Sequence, residues 1–283
     1  LDIYYKKTSD LLLDVPVGFA QGVTSQLQNV GNVENKGIEF AVNGVLLRRK
    51  NINWTLSANI AHNKNNISSL GTAKDIIQGA DNQLIIRQGE PLGSFYGLEF
   101  AGIVQEGEDV SKLPVINGIT PSPGDAKFVD TDNNNIINNN DRKVLGSIQP
   151  SLTYGLSSQL QYRHWDASIT FAGSYGNKLY NALGRRLEQT GDSYNVLTTV
   201  LDSWTPQNPT NRLALASKSR PFSYIDSRYV QDASYLKLKN LTIGYQFALA
   251  AAEIRIYATA SNLLTITPYK GYDPEVSGGT DSG

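Results

Sequence analysis

The stretch from Ser151 to Gly173, SLTYGLSSQLQYRHWDASITFAG, decides the fold class. In residues 151–162 apolar side chains recur at every second position apart from Ser158, and residues 165–173 repeat this alternation. A period of two residues predicts β-strands that each have one apolar and one polar face. Only Arg163 and His164 separate the two runs, so the stretch predicts an antiparallel hairpin.

The same alternation recurs along the rest of the chain. In the predicted strand 234–247, Leu238 is out of phase with Leu241. One extra residue near Asn240 would restore the alternation as a β-bulge. We expect the strands to form one antiparallel meander in sequential order. The predicted strands are 1–6, 36–47, 53–62, 151–162, 165–173, 234–247 and 254–262.

The connections between these strands are alternately short and long. Tight turns follow residues 47, 162 and 247, whereas longer connections follow residues 6, 62 and 173. Outer-membrane barrels show this asymmetry, with short turns at one rim and extracellular loops at the other. The predicted fold is therefore all-β: part of an antiparallel up-and-down transmembrane β-barrel, with 63–150 and 174–233 as long extracellular loops.

A barrel in a membrane also predicts the direction of individual side chains. The apolar positions should face lipid and the polar positions should face the lumen, because neighbouring residues in a strand point to opposite faces. We expect Gln159, Gln161, Ser168 and Thr170 to face the lumen. The residues expected to face lipid are Leu152, Tyr154, Leu156, Trp165, Ile169, Phe171, Ile243 and Tyr245.

The composition excludes several classes of function. The formal net charge is -1, so the chain has no basic surface of the kind that binds nucleic acid. Cysteine is absent, which excludes disulfides, thiolate metal sites and cysteine nucleophiles. No run of about 20 apolar residues occurs, which excludes a helical membrane span.

Several motifs resemble those of one family. The stretch NVGNVENKGIE at 29–39 resembles the signature of TonB-dependent receptors. Four further motifs are similar to the SusC-like branch of that family, and they keep the family's order along the chain. These are GSFYG at 93–97, GDAKF at 124–128, YLKLKNLTIGY at 235–245 and YKGYDPE at 269–275.

The resemblance implies a barrel of roughly 22 strands closed by an N-terminal plug. Residues 1–283 would be its C-terminal part, with the plug, the TonB-contacting segment, the early strands and the last strand absent. The family imports oligosaccharides or peptides across the outer membrane of Gram-negative bacteria, and it is energised by a TonB complex. A SusD-like surface lipoprotein acts as partner. The expected protein is not an enzyme and requires no cofactor.

An Asn-rich segment between Asp130 and Asp141 has the spacing of a calcium-binding loop. Oxygen-bearing side chains occupy its positions 1, 3, 5, 9 and 12, and position 7 offers a backbone carbonyl. EF-hand loops use this spacing to surround Ca²⁺. An ordinary solvated turn remains the alternative. The predicted ligands are Asp130, Asp132, Asn134, Ile136, Asn138 and Asp141.

Aromatic and arginine side chains are concentrated in the second long loop. Such side chains stack on or hydrogen-bond to sugars and peptides, although loop packing would also explain them. Tyr175, Arg185 and Trp204 are the leading candidates for substrate contact. The other candidates are Tyr180, Arg186, Arg220, Phe222, Tyr224 and Arg228.

Two other functions are compatible with these sequence features. A calcium-binding surface adhesion or structural β-protein would use the Asn-rich segment as its centre. A non-transporting outer-membrane barrel would differ only in lacking a plug. Strand faces distinguish the first alternative from a barrel, since a soluble sandwich buries its apolar faces and a barrel exposes them to lipid.

Overall fold

A computed structural model describes residues 1–17, 22–71, 73–189, 195–216, 225–250 and 252–275. This part of the chain is almost entirely β-structure, with one short α-helix, α1 (Ala182–Leu187), and 3₁₀ turns at Val110–Lys112, Asn139–Asp141 and Thr198–Asp202. Among the described residues no helix is long and apolar enough to cross a membrane. The strands are β1 (Asp2–Pro16), β2 (Ser25–Arg49), β3 (Ile52–Ser69), β4 (Ile76–Gln78), β5 (Leu84–Ile86), β6 (Ser94–Gly97), β7 (Phe100–Ile103), β8 (Val115–Ile116), β9 (Ala126–Phe128), β10 (Ile136–Ile137), β11 (Lys143–Ser147), β12 (Leu152–Tyr162), β13 (Trp165–Tyr175), β14 (Lys178–Tyr180), β15 (Val230–Asp232), β16 (Tyr235–Leu249) and β17 (Ala252–Ile266).

Seven long strands form one antiparallel sheet in the order β1-β2-β3-β12-β13-β16-β17. Since this order is sequential, the predicted meander is confirmed. Two-residue turns join β2 to β3 and β12 to β13, and β17 begins three residues after the end of β16. Arg163 and Ala250 have positive φ values of 55° and 50°, as the tightest hairpin turns require. All three tight turns therefore lie at the same end of the sheet.

The first hairpin is longer than the sequence predicts. Residues 7–16 and 25–35 were expected in a connection, but they continue β1 and β2 and leave only 17–24 between the strands. β3 likewise continues past its predicted end at His62 to Ser69. Apolar packing explains the extension, because the far ends of these strands contribute to a buried cluster. Its members are Val15, Val33, Ile67, Leu70, Ile76 and Ile86.

One face of the sheet is apolar across all seven strands. The cross-strand register places the eight residues predicted to face lipid on this one face. Leu156 is 40% exposed, and neither Leu152 nor Phe171 is buried. A second protein layer covering this face would have buried them, so the soluble-sandwich alternative is not supported. Trp165 packs edge-on against Tyr245 next to the tight turns, with ring centroids 4.8 Å apart, as in an interfacial aromatic girdle.

The opposite face carries a polar ladder. Ser157 Oγ donates to Thr170 Oγ1 at 3.2 Å, and the hydroxyls of Thr242 and Thr259 lie 2.8 Å apart. Nearer the tight turns, Arg255 donates to both oxygens of Asp166 at 2.9 and 2.6 Å. These contacts bridge four neighbouring strands on the face predicted to line the lumen.

The β-bulge predicted near Asn240 is present. The register of β16 shifts between Leu238 and Asn240 against both neighbouring strands. Lys239 is therefore the extra residue, and it returns Leu238 to the apolar face. Without this shift Leu236 and Leu238 would point to the polar face, because a one-residue slip inverts a strand.

A lipid-facing charge provides the first test of this sheet. In the full-length protein folded in bilayers, Leu156→Arg should lower the free energy of unfolding by about 2–4 kcal/mol, the cost of arginine near the bilayer midplane. The matched control is Gln159→Arg, an exposed position on the polar face of the same strand, which should cost much less because the charge stays in water. If a denaturant titration gave the same loss of unfolding free energy for both arginine variants, the two faces of the sheet would be in the same solvent.

Candidate functional site

The two long connections fold into one unit above the sheet, which we call the cap (the described residues of 70–151 and 176–234). Its strands form a four-stranded sheet, β11-β6-β5-β4, and three two-stranded sheets. Backbone hydrogen bonds join the two connections, with Leu98 N donating to Ile225 O at 2.8 Å and Leu215 N to Gly124 O at 2.8 Å. The cap is therefore ordered structure rather than free loop.

The cap has an apolar core of its own. Trp204 is only 3% exposed and packs against buried residues from the first connection, including Leu98 and Phe128. Its Nε1 donates to Gln105 Oε1 at 2.9 Å. Gly124, from the GDAKF motif, has a φ of 88°, and a Cβ there would meet the Trp204 ring at 2.7 Å. The motif thus requires glycine because the indole ring occupies the space of a side chain.

A large cavity of about 1300 Å³ opens beside this core. Its wall combines residues from both connections with residues from the segment that follows β17. Most of the wall is aliphatic or aromatic. The apolar lining comprises Leu84, Phe95, Phe100, Ile148, Leu179, Ala182, Leu183, Leu187, Leu197 and Leu213, and the tyrosines are Tyr180, Tyr229, Tyr269 and Tyr272.

The charged groups in the wall are largely paired. Arg228 donates to both oxygens of Asp226 at 2.9 and 2.7 Å, and its guanidinium lies 4.2 Å from the Phe100 ring centroid. Burial lowers the pKa of Arg228, but its contacts with Asp226 outweigh this effect and raise the pKa above its ordinary value. Arg212 pairs with Glu188 at 3.0 Å. Each arginine therefore has a carboxylate partner within the protein.

The segment after β17, residues 267–275, closes one side of the cavity. Lys237 on the polar face of β16 is 1% exposed, and its ammonium contacts Asp273 at 2.5 Å and Glu275 at 2.8 Å. Lys239, the bulge residue, also pairs with Glu275. We call these four residues the latch. It fixes the segment over the polar face of the sheet, so the cavity wall depends on it.

The pKa values of the two latch carboxylates lie below their ordinary values. Hydrogen bonds from Lys237 lower the pKa of Asp273 and of Glu275, and Lys239 adds to the effect on Glu275. A carboxylate whose pKa is depressed by folding contributes stability above its unfolded pKa and loses it as the pH falls through the folded value. The latch is therefore expected to be intact at neutral pH and to weaken only in acid. The same pairing argues against a glycosidase role for these carboxylates, because a general acid needs a raised pKa.

The residues predicted to contact substrate lie in different environments, some exposed and some buried. Tyr175 is 61% exposed at the end of β13, whereas Trp204 is packed in the core of the cap. Arg185 Nη1 contacts Asp81 and the Tyr180 hydroxyl, both at 3.0 Å. Of the other candidates Tyr180 and Arg228 line the cavity, and Arg220, Phe222 and Tyr224 lie outside the described residues.

The Asn-rich segment brings the three predicted aspartate ligands together. One carboxylate oxygen from each of Asp130, Asp132 and Asp141 lies within 4.8 Å of the others. Asp141 is fully buried, and its two oxygens accept from the backbone N–H groups of Thr131 and Asn138 at 2.8 Å each. Asn133 and Asn135 adopt positive φ values of 58° and 61°, which asparagine tolerates.

The other three predicted ligands are engaged with the segment itself. Asn134 Oδ1 accepts from Ile136 N at 2.8 Å, and Asn138 Oδ1 accepts from Asn140 N at 2.7 Å. The Ile136 carbonyl accepts from Asn138 Nδ2 at 3.3 Å. The aspartates also accept hydrogen bonds from the segment, and they differ from the other three predicted ligands in carrying carboxylate charge.

The pKa values of Asp130 and Asp132 are shifted in opposite directions. Desolvation opposes the ionisation of Asp130, but backbone donors from Asn135, Asn134 and Asn133 outweigh it and lower its pKa. Desolvation raises the pKa of Asp132, and the charges of Asp141 and Asp130 raise it further. Mutual repulsion of this kind is what a bound cation would relieve.

Comparison with known proteins identifies the family. The chain is 35% identical over 292 residues to TonB-dependent receptor P3 of Formosa agariphila, covering 98% of the chain and 28% of that receptor. TonB-dependent receptor SusC of Bacteroides thetaiotaomicron is 29% identical over 100% of the chain and 28% of SusC. The solved RagAB peptide transporter superimposes with a TM-score of 0.79 at 28% identity, covering 99% of the chain and 31% of that structure's chain. The chain belongs to the SusC-like TonB-dependent receptors.

This receptor chain spans less than a third of the length of the relatives it matches. No family model matches it. The relatives are receptors and transporters rather than enzymes, in agreement with the expectation from the sequence. The resemblance inferred from the five motifs is therefore confirmed, and the seven-stranded antiparallel sheet matches a portion of the barrel of its structural neighbours.

Sequence reasoning missed the cavity and the latch. The YKGYDPE motif was recognised at 269–275, but its partner Lys237 lies in another motif, 36 residues earlier. An available signal was Lys237 itself, since a lysine on a strand position between apolar neighbours requires a counter-charge. No pattern in the sequence indicates which carboxylate supplies it.

Loss of the latch should loosen the wall of the cavity. In the full-length receptor, Lys237→Gln removes the buried ammonium and leaves Asp273 and Glu275 without their shared partner. Because both carboxylates keep contact with water, the cost should be well below that of a fully buried pair. We expect about tenfold faster amide hydrogen exchange across 267–275, equivalent to about 1.4 kcal/mol.

The control for this prediction is Lys239→Gln, which removes only the more exposed of the two lysines and should change exchange less than about threefold. Both variants are measured at neutral pH, where the carboxylates are ionised. Unchanged exchange in Lys237→Gln would show that backbone contacts alone hold the segment.

Proposed function

We propose that this receptor imports an oligosaccharide or a peptide across the outer membrane of a Gram-negative bacterium. The observation that carries the proposal is the two-faced sheet with a cavity above its polar side. An apolar face suits lipid and a polar face suits a wet lumen. A cavity held over the lumen by the cap and the latch gives a solute a place to bind before passage.

Energy and capture would come from partners that the relatives' names suggest. SusC is named as a TonB-dependent receptor, and RagAB is described as a peptide importer. By analogy, a TonB complex supplies the energy for import, acting through parts of the receptor beyond this chain. A SusD-like surface lipoprotein would cover the cap. Apolar side chains on the cap such as Leu201, 86% exposed, suit such a contact.

The proposal predicts TonB-dependent uptake that passes through the cavity. Cells carrying the full-length receptor should accumulate labelled oligopeptides or oligosaccharides, and loss of a functional TonB complex should reduce the rate to the background. Ala182→Trp narrows the cavity and should slow uptake several-fold. Thr120→Trp, on the exposed surface of the cap outside the cavity, is the matched control and should leave the rate unchanged.

Two outcomes would contradict this proposal. Uptake of both solute classes that continues without TonB would point to a passive pore instead. An equal loss in both tryptophan variants would remove the cavity from the path.

We also propose a weak Ca²⁺ site at the three aspartates of the Asn-rich segment. Their convergence and the raised pKa of Asp132 support it. The ion would stabilise a segment that its own hydrogen bonds already shape, and no step of transport is assigned to it. The site would serve a calcium-binding adhesion protein equally well, but the exposed apolar face favours a membrane protein.

Calorimetry on the full-length receptor would test the calcium site. We expect a dissociation constant of about 10⁻⁴–10⁻³ M, as for extracellular calcium modules. Asp132→Asn should abolish the heat, whereas Asp109→Asn, an exposed carboxylate elsewhere in the cap, should not. Binding should weaken as the pH falls through the raised pKa of Asp132, since protons compete for the same oxygens. Identical heats in both variants would leave the segment as a hydrogen-bonded turn.

A further inference from the structure

The cavity wall contains apolar surface that the fold itself does not bury. Leu183 on α1 is 43% exposed, Leu197 is 39% exposed and Tyr272 is 81% exposed, although all three line the cavity. Exposed apolar side chains gathered in one concave site are the usual signature of a ligand site. A volume of about 1300 Å³ is enough for a solute of several residues.

The polar side chains of the wall are already engaged with the protein. Asn181 Oδ1 caps α1 by accepting from Gly184 N at 2.8 Å, and Gln231 Oε1 accepts from Lys270 N at 3.2 Å. Asn211 Oδ1 accepts from Ile103 N, and Gln83 Oε1 accepts from Asp81 N. A neutral sugar needs many free donors and acceptors, because each buried hydroxyl that lacks a partner costs free energy.

Few aromatic rings in the cavity wall have a free face on which a sugar ring could stack. The Arg228 guanidinium lies over Phe100, and the Tyr180 hydroxyl bonds with Asp81 and Arg185. Tyr269 lies so close to Gly271 that a Cβ there would meet its ring at 2.4 Å. Tyr272 alone among these rings is largely exposed. The wall therefore suits aliphatic side chains better than stacked sugar rings.

One cation of the wall stands apart from the others. Arg212 and Arg228 are neutralised by Glu188 and Asp226, and Asp273 is neutralised by Lys237. Lys270 is exposed, and its ammonium makes no ion pair or hydrogen bond with the part of the chain that the structure describes. An ammonium group beside an apolar wall is suited to a carboxylate on the bound solute.

We propose that this cavity binds short peptides with apolar side chains, and that Lys270 pairs with the peptide's C-terminal carboxylate. This inference rests on the proposed import function and names the solute for its binding site. The aliphatic wall formed by α1 and its neighbours receives the side chains. Lys270 distinguishes a free carboxyl terminus from an amide, so it is a specificity-determining residue.

The test measures binding to the full-length receptor by calorimetry. The probes are the hexapeptide Ala-Val-Leu-Ala-Val-Leu as free acid, the same peptide as C-terminal amide, and maltohexaose. The free acid should bind about tenfold more tightly than the amide, a difference typical of one charge-assisted contact. Maltohexaose should bind more weakly than either peptide.

Variants assign the effect to named residues. Lys270→Gln should remove the difference between acid and amide without changing the affinity for the amide. Lys112→Gln, an exposed lysine of the cap outside the cavity, should preserve the difference. Leu183→Asn should weaken both peptides by a similar factor. Because Leu183 and Lys270 are exposed, neither change threatens the fold.

Three results would overturn the proposal. These are equal binding of acid and amide by the unmodified receptor, an equal loss of both in Lys270→Gln, and tighter binding of maltohexaose than of the peptides. Uptake separates such a failure from failure of the import function. TonB-dependent uptake of maltohexaose with no peptide uptake would overturn the peptide assignment alone, whereas the absence of TonB-dependent uptake of both probes would overturn import as well.

Discussion

The pairing of backbone N–H and C=O groups between neighbouring strands is the constraint on which the rest of this structure depends. In hydrocarbon no water can satisfy an unpaired amide, so a membrane-crossing strand must be bonded along its whole length. The continuous register from β1 to β17 meets this requirement over seven strands. Among the described residues β1 and β17 are left as edges, which the remaining strands of a receptor barrel would pair.

Strand pairing also determines which side chains meet lipid. Since side chains alternate, fixing one residue of a strand fixes all its others, and a single error in phase would bring leucines into the lumen. Lys239 shows how this is avoided. As the extra residue of the bulge, it lets the leucines on both sides of it share the apolar face. Lys239 also places its own ammonium beside Glu275. The bulge therefore both keeps the leucines on the apolar face and contributes an ion pair to the latch.

The sequence was sufficient to predict the strands, their order and the bulge, because these features follow from local periodicity and from connection lengths. It was insufficient for the cap, whose contacts join residues far apart. Leu98 bonds to Ile225, and Trp204 fills a space that Gly124 leaves open. Composition marked Trp204 as a candidate for substrate contact, and only the packing shows that it lies in a core. The sequence pattern predicts β1 and β2 too short for the same reason, because apolar residues distant in the sequence pack against their far ends.

Two groups of neighbouring carboxylates in this chain are stabilised in different ways. In the latch, the buried Lys237 neutralises Asp273 and shares Glu275 with Lys239, so removing Lys237 leaves Asp273 without an ionic partner. In the Asn-rich segment, backbone amides already satisfy both oxygens of the buried Asp141. The segment can thus hold its shape through its own hydrogen bonds, and Ca²⁺ would add stability to a formed loop. An ion that is not needed for folding costs little to release, which agrees with weak binding at the outer surface.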